Sequence, residues 1–579
     1  MRERWRQWLE ETHGPFFELV RHFFGRMFES ELITAPDQLR TWIVGVLSAI
    51  LSFTLYVPLS NFRKYVDLTF QNRVAEYHAH AMSDRLLFVA FPMLVVSFVA
   101  AIEWQSLFPT ERDYRNLMPL PVSRMQMFLA KLSALTLFVL LFAAAVSFFP
   151  TFLIPMVQAS TLALEPLRMK HFFGHFLAAS AGALFAFLAL VALQGLLMNV
   201  LGRRLFPRVS LAVQSVLLLS LLTALPHLLT VGDLYRRGGI SREVMDWTPV
   251  FWFHAVYETW IGRTAAPMPE LAARAWWGLG VAAAATLVLY AVSYIRQAMV
   301  QAEAENRLPY PLVEAVLRRV FRWWHRSEKQ FAIVSFVFKT LARSRQHKLL
   351  LTAYLGIGLA VLVNLWVLDW LRVSAGRRMD LAQEELVHTA LSAPLVMAFF
   401  FVSGLRLVFT IPITLQANWV FRLLEGDSRV EWLDAVESAF YVLAVLPVLV
   451  VAPLFQVPLM GWHLLPGHVV ICTLLMLILV ELMLWEWQKV PFVCSYLPGR
   501  RNVALTFILY WFGFSLYALA MTRFEVWGMR SLPRWLILAG LLLAVFAKVR
   551  ELRREMWGLL PLKYEEEAER TVETLGLVG

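Results

Sequence analysis

The chain has 579 residues, of which 59% are hydrophobic and only 16% charged, with a formal net charge of +11. So little charge excludes an ordinary soluble domain, where about 25% is usual, and most of the chain is expected to lie in lipid. The basic excess sits beside the apolar runs, so membrane orientation accounts for it and nucleic acid is not an expected partner.

Residues 1–40 read as a cytoplasmic amphipathic segment. Phe16, Phe17, Val20, Phe23, Phe24, Met27 and Phe28 recur at helical spacing opposite Glu18, Arg21, His22, Arg26 and Glu29, after a start at Gly14 and Pro15. Such a helix is expected at the membrane interface, against lipid. A spanning helix needs roughly 20 apolar residues. Residues 41–295 offer such runs near Thr41 to Ser60, Leu86 to Phe108, Leu132 to Pro155, Phe176 to Val200, Ser210 to Thr230 and Leu271 to Ile295. The first run is long enough to remain as an anchor and is not read as a secretory signal. The loop after it mixes Arg63, Lys64, Arg73 and Arg85 with Asp67, Glu76 and Asp84.

Residues 296–348 form the densest basic stretch: Arg296, Arg307, Arg318, Arg319, Arg322, Arg326, Lys329, Lys339, Arg343, Arg345 and Lys348. Short basic loops resist translocation, which puts this linker and, with six spans before it, both termini in the cytoplasm. Within it Phe331, Val334, Phe338 and Leu341 mark a second amphipathic helix. Residues 349–548 offer apolar runs near Leu349 to Leu371, Thr389 to Ile411, Phe440 to Phe455, Val469 to Glu486, Ala504 to Met521 and Leu532 to Lys548, before a charged tail, 549–579.

The expected fold class is an all-α polytopic membrane protein, with about 12 transmembrane helices in two parallel six-helix repeats. The halves correspond at an offset of about 300 residues, each opening on an amphipathic helix. Gly202-Arg203-Arg204 after the fourth span of one matches Gly499-Arg500-Arg501 after that of the other.

Several chemistries lack their motifs. No Gly-x-x-x-x-Gly-Lys-Ser/Thr loop is present to cradle nucleotide phosphates, and no His-Glu-x-x-His, Gly-x-Ser-x-Gly or paired-Cys spacing occurs. No enzymatic activity, metal site or cofactor is therefore expected of this chain itself. Cys472 falls in a span and Cys494 in a cytoplasmic loop, so a disulfide is not expected. Glu103, Arg406, Glu481 and Glu486 lie near or within spans, and all but Glu481 sit where snorkelling to the headgroups suffices. His78 and His80 beside Glu76, and His171 one turn from His175, have ligand-like spacing, but two histidines without a placed third ligand are weak grounds for a metal. Trp247 to Trp260 reads better as an interfacial aromatic belt than as a substrate cage.

After the second span the chain reads Pro109-Thr-Glu-Arg-Asp-Tyr-Arg-Asn-Leu-Met-Pro-Leu-Pro-Val-Ser-Arg-Met-Gln-Met-Phe-Leu-Ala-Lys131: a short charged helix, a Pro-x-Pro turn, then a capped helix from near Ser123. Glu111-Arg112 with Leu120-Pro121-Val122-Ser123 and Lys131 resembles the loop of ABC-2 type transporter permeases that docks on a separate ATPase. Trp247, Trp252, Phe253 and Tyr257 resemble the external re-entrant segment of that family. Phe338 to Arg345 and Ala417 to Arg422 resemble stretches of its fused, double-length members.

The resemblance implies the membrane subunit of an ABC exporter in the cell (inner or plasma) membrane. Thr110, Glu111, Arg112 and Arg115 would then form one ATPase-coupling helix, with Asn418, Trp419 and Arg422 in the counterpart, where the Glu-Arg pair is absent. Partners would be two ABC ATP-binding subunits, which bind the ATP, together with membrane lipid and an unidentified substrate. The alternatives are an ion-gradient-driven secondary transporter of about 12 spans and a membrane enzyme acting on a lipid-linked substrate.

Overall fold

A computed structural model describes residues 15–25, 50–104, 106–108, 123–158, 169–300, 328–374, 379–412, 429–460, 462–485, 487–493, 503–559 and 562–563, with isolated positions between. The chain divides into two units, Met1–Asn306 and Arg307–Gly579, parting within the expected basic linker. The described backbone is helical, apart from turns and an isolated bridge between Lys489 and Lys563. Among the described residues ten helical stretches are long and apolar enough to cross a membrane. This is a multi-pass all-α membrane architecture, in which each helix satisfies its own backbone polar groups.

In the first unit α1 (residues 15–25) and α2 (50–60) precede α3 (Phe62–Phe70), α4 (Val74–Ile102) and α5 (Arg124–Gln158). Then come α6 (Met169–Arg236), α7 (Arg242–Trp247), α8 (Pro249–Trp260) and α9 (Met268–Val300). The expected cap of α5 is a capping box: Ser123 Oγ accepts from the Gln126 amide at 3.2 Å, and Gln126 Oε1 accepts from the Ser123 amide at 3.1 Å.

α6 is helical throughout, yet it contributes two spans, Met169–Leu201 and Val209–Leu228. Gly182 packs on Met93 and Gly232 on Ser83. Fifty residues of straight helix would cover about 75 Å, whereas the ten residues from Ser83 to Met93 cover about 15 Å. The helix must therefore fold back on itself, and Trp104 lies beside both limbs: its carbonyl accepts from Gln194 Nε2 at 2.7 Å and its indole donates to Ser210 Oγ at 2.8 Å. The reversal lies between Gln194 and Ser210, an interval that contains the expected basic loop.

In the second unit α10 (Glu328–Arg343), α11 (Arg345–Ser374), α12 (Met379–Thr410) and α13 (Arg429–Phe440) are followed by a π turn, Tyr441–Val445. The chain continues through α14 (Leu446–Met460), α15 (Leu465–Met483), α16 (Val503–Met529) and α17 (Leu532–Leu559). α10 buries Ile333, Val334, Val337 and Leu341 in the core that contains Trp432, Leu433 and Val436 of α13. In the first unit α7 and α8 stand between the last two spans, whereas in the second only Arg530 and Ser531 separate α16 from α17.

α11 and α12 approach closely through two glycines, Gly358 against Phe400 and Gly404 against Tyr354. A Cβ on Gly404 would meet the Tyr354 Cβ at 2.8 Å, an atom the backbone holds in place. Gly404→Leu should therefore cost about 1–3 kcal/mol by overpacking, read as a lower melting temperature in detergent and partly recovered by Tyr354→Ala. An unchanged melting temperature would mean that the two helices separate freely.

Candidate functional site

Thr110, Glu111, Arg112, Arg115, Asn418 and Arg422 lie outside the described residues; Trp419 is described and exposed. The amphipathic residues of α1 dock on protein as well as facing outward. Leu19 and Phe23 are buried in a core with Trp104, Leu107, Phe108 and Phe128, while Phe16, Val20 and Phe24 pack around it and Phe17 stays exposed. Lys131, buried at the start of α5, sits 5.2 Å over the Phe23 ring, and Phe24 meets Phe138 edge-on at 6.3 Å. α1 is thus clamped to the ends of α4 and α5 that flank residues 109–122. In α10, Val334 is buried and Phe331 and Phe338 are half-buried, while Phe336 reaches Phe421 at 5.1 Å.

At the other end of α4 the first unit holds a buried charged cluster. Arg85 Nη1 lies 3.4 Å from both carboxylate oxygens of Glu258, and neither side chain is exposed. Arg85 Nε donates to Gln158 Oε1 at 2.9 Å, and Gln158 Nε2 donates to the Tyr65 hydroxyl at 3.1 Å. Tyr65 in turn donates to Asp84 Oδ2 at 2.6 Å, which also pairs with Lys64 at 2.8 Å. On the far side Glu258 meets Arg263 at 3.3 Å and His254 at 3.4 Å. The cluster thus ties α3, α4, α5 and α8 together, with Arg85 5.4 Å over the Tyr257 ring.

The electrostatics follow from that packing. Burial alone would raise the Glu258 carboxyl, but Arg85, then His254 and Arg263, outweigh it and hold the group down at about 2. Burial and the Asp84 carboxylate push the Tyr65 phenol well above its usual value. Burial and Glu258 do the same to Tyr235.

Hydropathy places Arg85 in a loop, whereas it lies inside α4, which begins at Val74. Charged residues extend this helix because Glu258, Gln158, Tyr65 and Lys64 satisfy them. Pro249 opens α8 at its first turn, and the helix buries Phe251, Phe253, His254, Tyr257 and Glu258. Of the aromatic stretch, Phe253 and Tyr257 are core, Trp252 is half-buried, and Trp247 and Trp260 are exposed. The histidine pairs do not converge: His78 meets Arg263 at 2.8 Å, His80 meets Arg236 at 3.1 Å, and His171 and His175 flank the Tyr257 ring at 6.4 and 5.7 Å. Among the described residues no group of three or more His, Cys, Asp or Glu is placed to hold a metal ion.

The second unit buries two further polar networks, around Arg553 and around Glu525. Glu481 does not snorkel: it accepts from Arg553 at 2.5 Å and from Tyr441 at 2.5 Å, and is fully buried. Arg406 donates to the Met483 carbonyl and lies 5.5 Å over the Tyr510 ring. Glu103 accepts from the Ser106 hydroxyl at 2.8 Å. The partners of such pairs lie 116 and 173 positions apart for Glu437–Arg553 and Arg85–Glu258, and spacing alone does not join them.

No protein-family profile, no curated protein and no solved structure matches this chain.

Proposed function

We infer that the chain is the membrane-spanning permease subunit of an ABC-type exporter, moving its substrate with ATP hydrolysed by separate subunits. Both termini would be cytoplasmic, and the halves would act as two six-helix units in one chain. The supporting observation is the layout of the first unit. An amphipathic helix is clamped by Phe23 and Lys131 beside residues 109–122, and a pair of short helices, α7 and α8, fills the opposite end between the last two spans. That order matches the resemblance carried by Glu111-Arg112, Leu120 to Ser123 and Lys131. ATPase closure would push on the segment at Glu111 and shift one packed arrangement of helices to another.

Purification of the tagged chain in mild detergent tests this directly, since an ATP-binding subunit should co-purify. Glu111→Ala with Arg112→Ala should weaken that association about tenfold, equivalent to about 1.4 kcal/mol, and lower ATP-driven transport in parallel. Full association and full transport in the double variant would remove the coupling assignment.

One feature favours a second reading, a transporter driven by an ion gradient. Buried ionisable pairs, Arg85–Glu258 and His468–Glu525, occur in helices, where such groups mark ion pathways. Transport in proteoliposomes without ATP, abolished by an ionophore, would select it.

A further inference from the structure

His468 on α15 stands between two partners. Its Nε2 faces Gln456 Nε2 of α14 at 2.8 Å and its Nδ1 faces Glu525 Oε1 of α16 at 2.6 Å. The amide orientation decides the protonation pattern. Gln456 Nε2 also donates to the Ala390 carbonyl of α12 at 2.9 Å, an atom that can only accept, so the nitrogen is placed there and its second hydrogen points at His468. His468 Nε2 must then accept, its hydrogen sits on Nδ1 and is donated to Glu525, and the ring is neutral. The imidazole consequently brings no positive charge to Glu525. The other carboxylate oxygen, Oε2, is buried without a hydrogen-bond partner among the described residues, and Glu525 is 1% exposed.

Among the described residues the surroundings offer no other cation. α15 presents His468 and the buried thiol of Cys472; α14 presents the neutral Gln456; α12 presents the Ala390 carbonyl. On α16 the Thr522 hydroxyl donates to its own helix at Ala518, 2.7 Å, and from α17 the Trp535 indole donates to the Gly467 carbonyl at 3.2 Å. No described lysine or arginine pairs with Glu525. A buried carboxylate with one donor and no counter-charge is strongly disfavoured, and an alkali cation would require several further oxygen ligands, whereas a proton requires one.

We propose that Glu525 is a proton-binding site: Oε2 takes a proton from hydronium in the surrounding water and returns it to water, while His468 stays neutral and holds Oε1. The site joins α12, α14, α15 and α16. Proton occupancy therefore biases how these four helices pack, because the deprotonated form must hydrate or open. The proposal stands whether transport is driven by ATP or by a gradient.

Infrared difference spectroscopy on the full-length chain in detergent is the test. At neutral pH the wild type should show the carbonyl stretch of a protonated carboxyl, shifted down in heavy water and wholly lost in Glu525→Gln. Absence of the band, or its persistence in Glu525→Gln, overturns the assignment. Should Glu525→Gln fail to fold, the wild type alone decides: the band must titrate away on alkalinisation together with a fall in melting temperature, and a band indifferent to pH overturns it. A melting temperature that follows sodium against choline at fixed pH would place an alkali cation there and also overturn the proton.

Discussion

Arg553→Met should destabilise the second unit by about 3–5 kcal/mol, the cost of leaving the buried Glu481 carboxylate without its counter-charge. Arg553 is fully buried on α17. Its Nε donates to Glu481 Oε2 of α15 at 2.5 Å, its Nη2 donates to Glu437 Oε2 of α13 at 2.6 Å, and its guanidinium lies 3.8 Å from the centroid of the Trp557 ring. Arg550 adds a second cation, 2.8 Å from Glu437 Oε1, and Arg554 pairs with Asp434 at 2.9 Å nearer the surface. The π turn begins at Tyr441, whose hydroxyl donates to Glu481, so three helices and the turn share one set of charges. The fork shape of guanidinium matters, because two carboxylates on different helices are met by different nitrogens. Arg553→Lys should therefore fall between wild type and methionine. Replacing Arg553 and Glu481 together by apolar residues should recover much of the loss, since the surplus charge goes with its partner. Thermal unfolding of the purified chain would read all three variants. A shift in Arg553→Met below about 1 kcal/mol would mean that water screens the network as at an exposed pair.

Arg85→Met should have a comparable effect in the first unit, about 3–5 kcal/mol, and a different pH signature. It leaves Glu258 buried between Arg263 and His254. Glu258→Gln should cost less, because Arg85 keeps Gln158 at 2.9 Å and the Tyr257 ring at 5.4 Å. The carboxyl of Glu258 is held at about 2, below its ordinary 4.5. A depressed carboxyl contributes stability that is complete above the unfolded value and disappears as pH falls through the folded one. The contribution should be constant from neutral pH down to about 4.5 and lost between there and about 2. Melting temperatures of wild type and Glu258→Gln, compared across that interval, should converge as the pH falls. Curves that stay parallel would mean that Glu258 does not carry the charge assigned to it.

The expected elements and the observed ones agree where apolar length is the only requirement. Runs such as Leu132 to Pro155 and Leu349 to Leu371 lie within α5 and α11, because some twenty apolar residues cross lipid whatever surrounds them. A cap near Ser123 was also readable, being a local feature; the structure adds its partner, Gln126. α4 was not fully readable. Its first turns carry Asp84 and Arg85, which hydropathy places in a loop, and only the arrival of α3, α5 and α8 permits them in a helix. The amphipathic period of Phe16 to Phe24 was legible too, but not that Leu19 and Phe23 would be covered by protein.

By itself the order of residues determined an all-helical chain with many membrane-length apolar segments, a basic division near its middle and two amphipathic helices, because periodicity and hydropathy are local properties. Only the tertiary structure decided that Arg85 meets Glu258, that one arginine serves Glu437 and Glu481, and that His468 stands between Gln456 and Glu525. Each such contact joins residues on different helices, and the cost of a buried charge depends on the partner brought beside it, which no local pattern encodes.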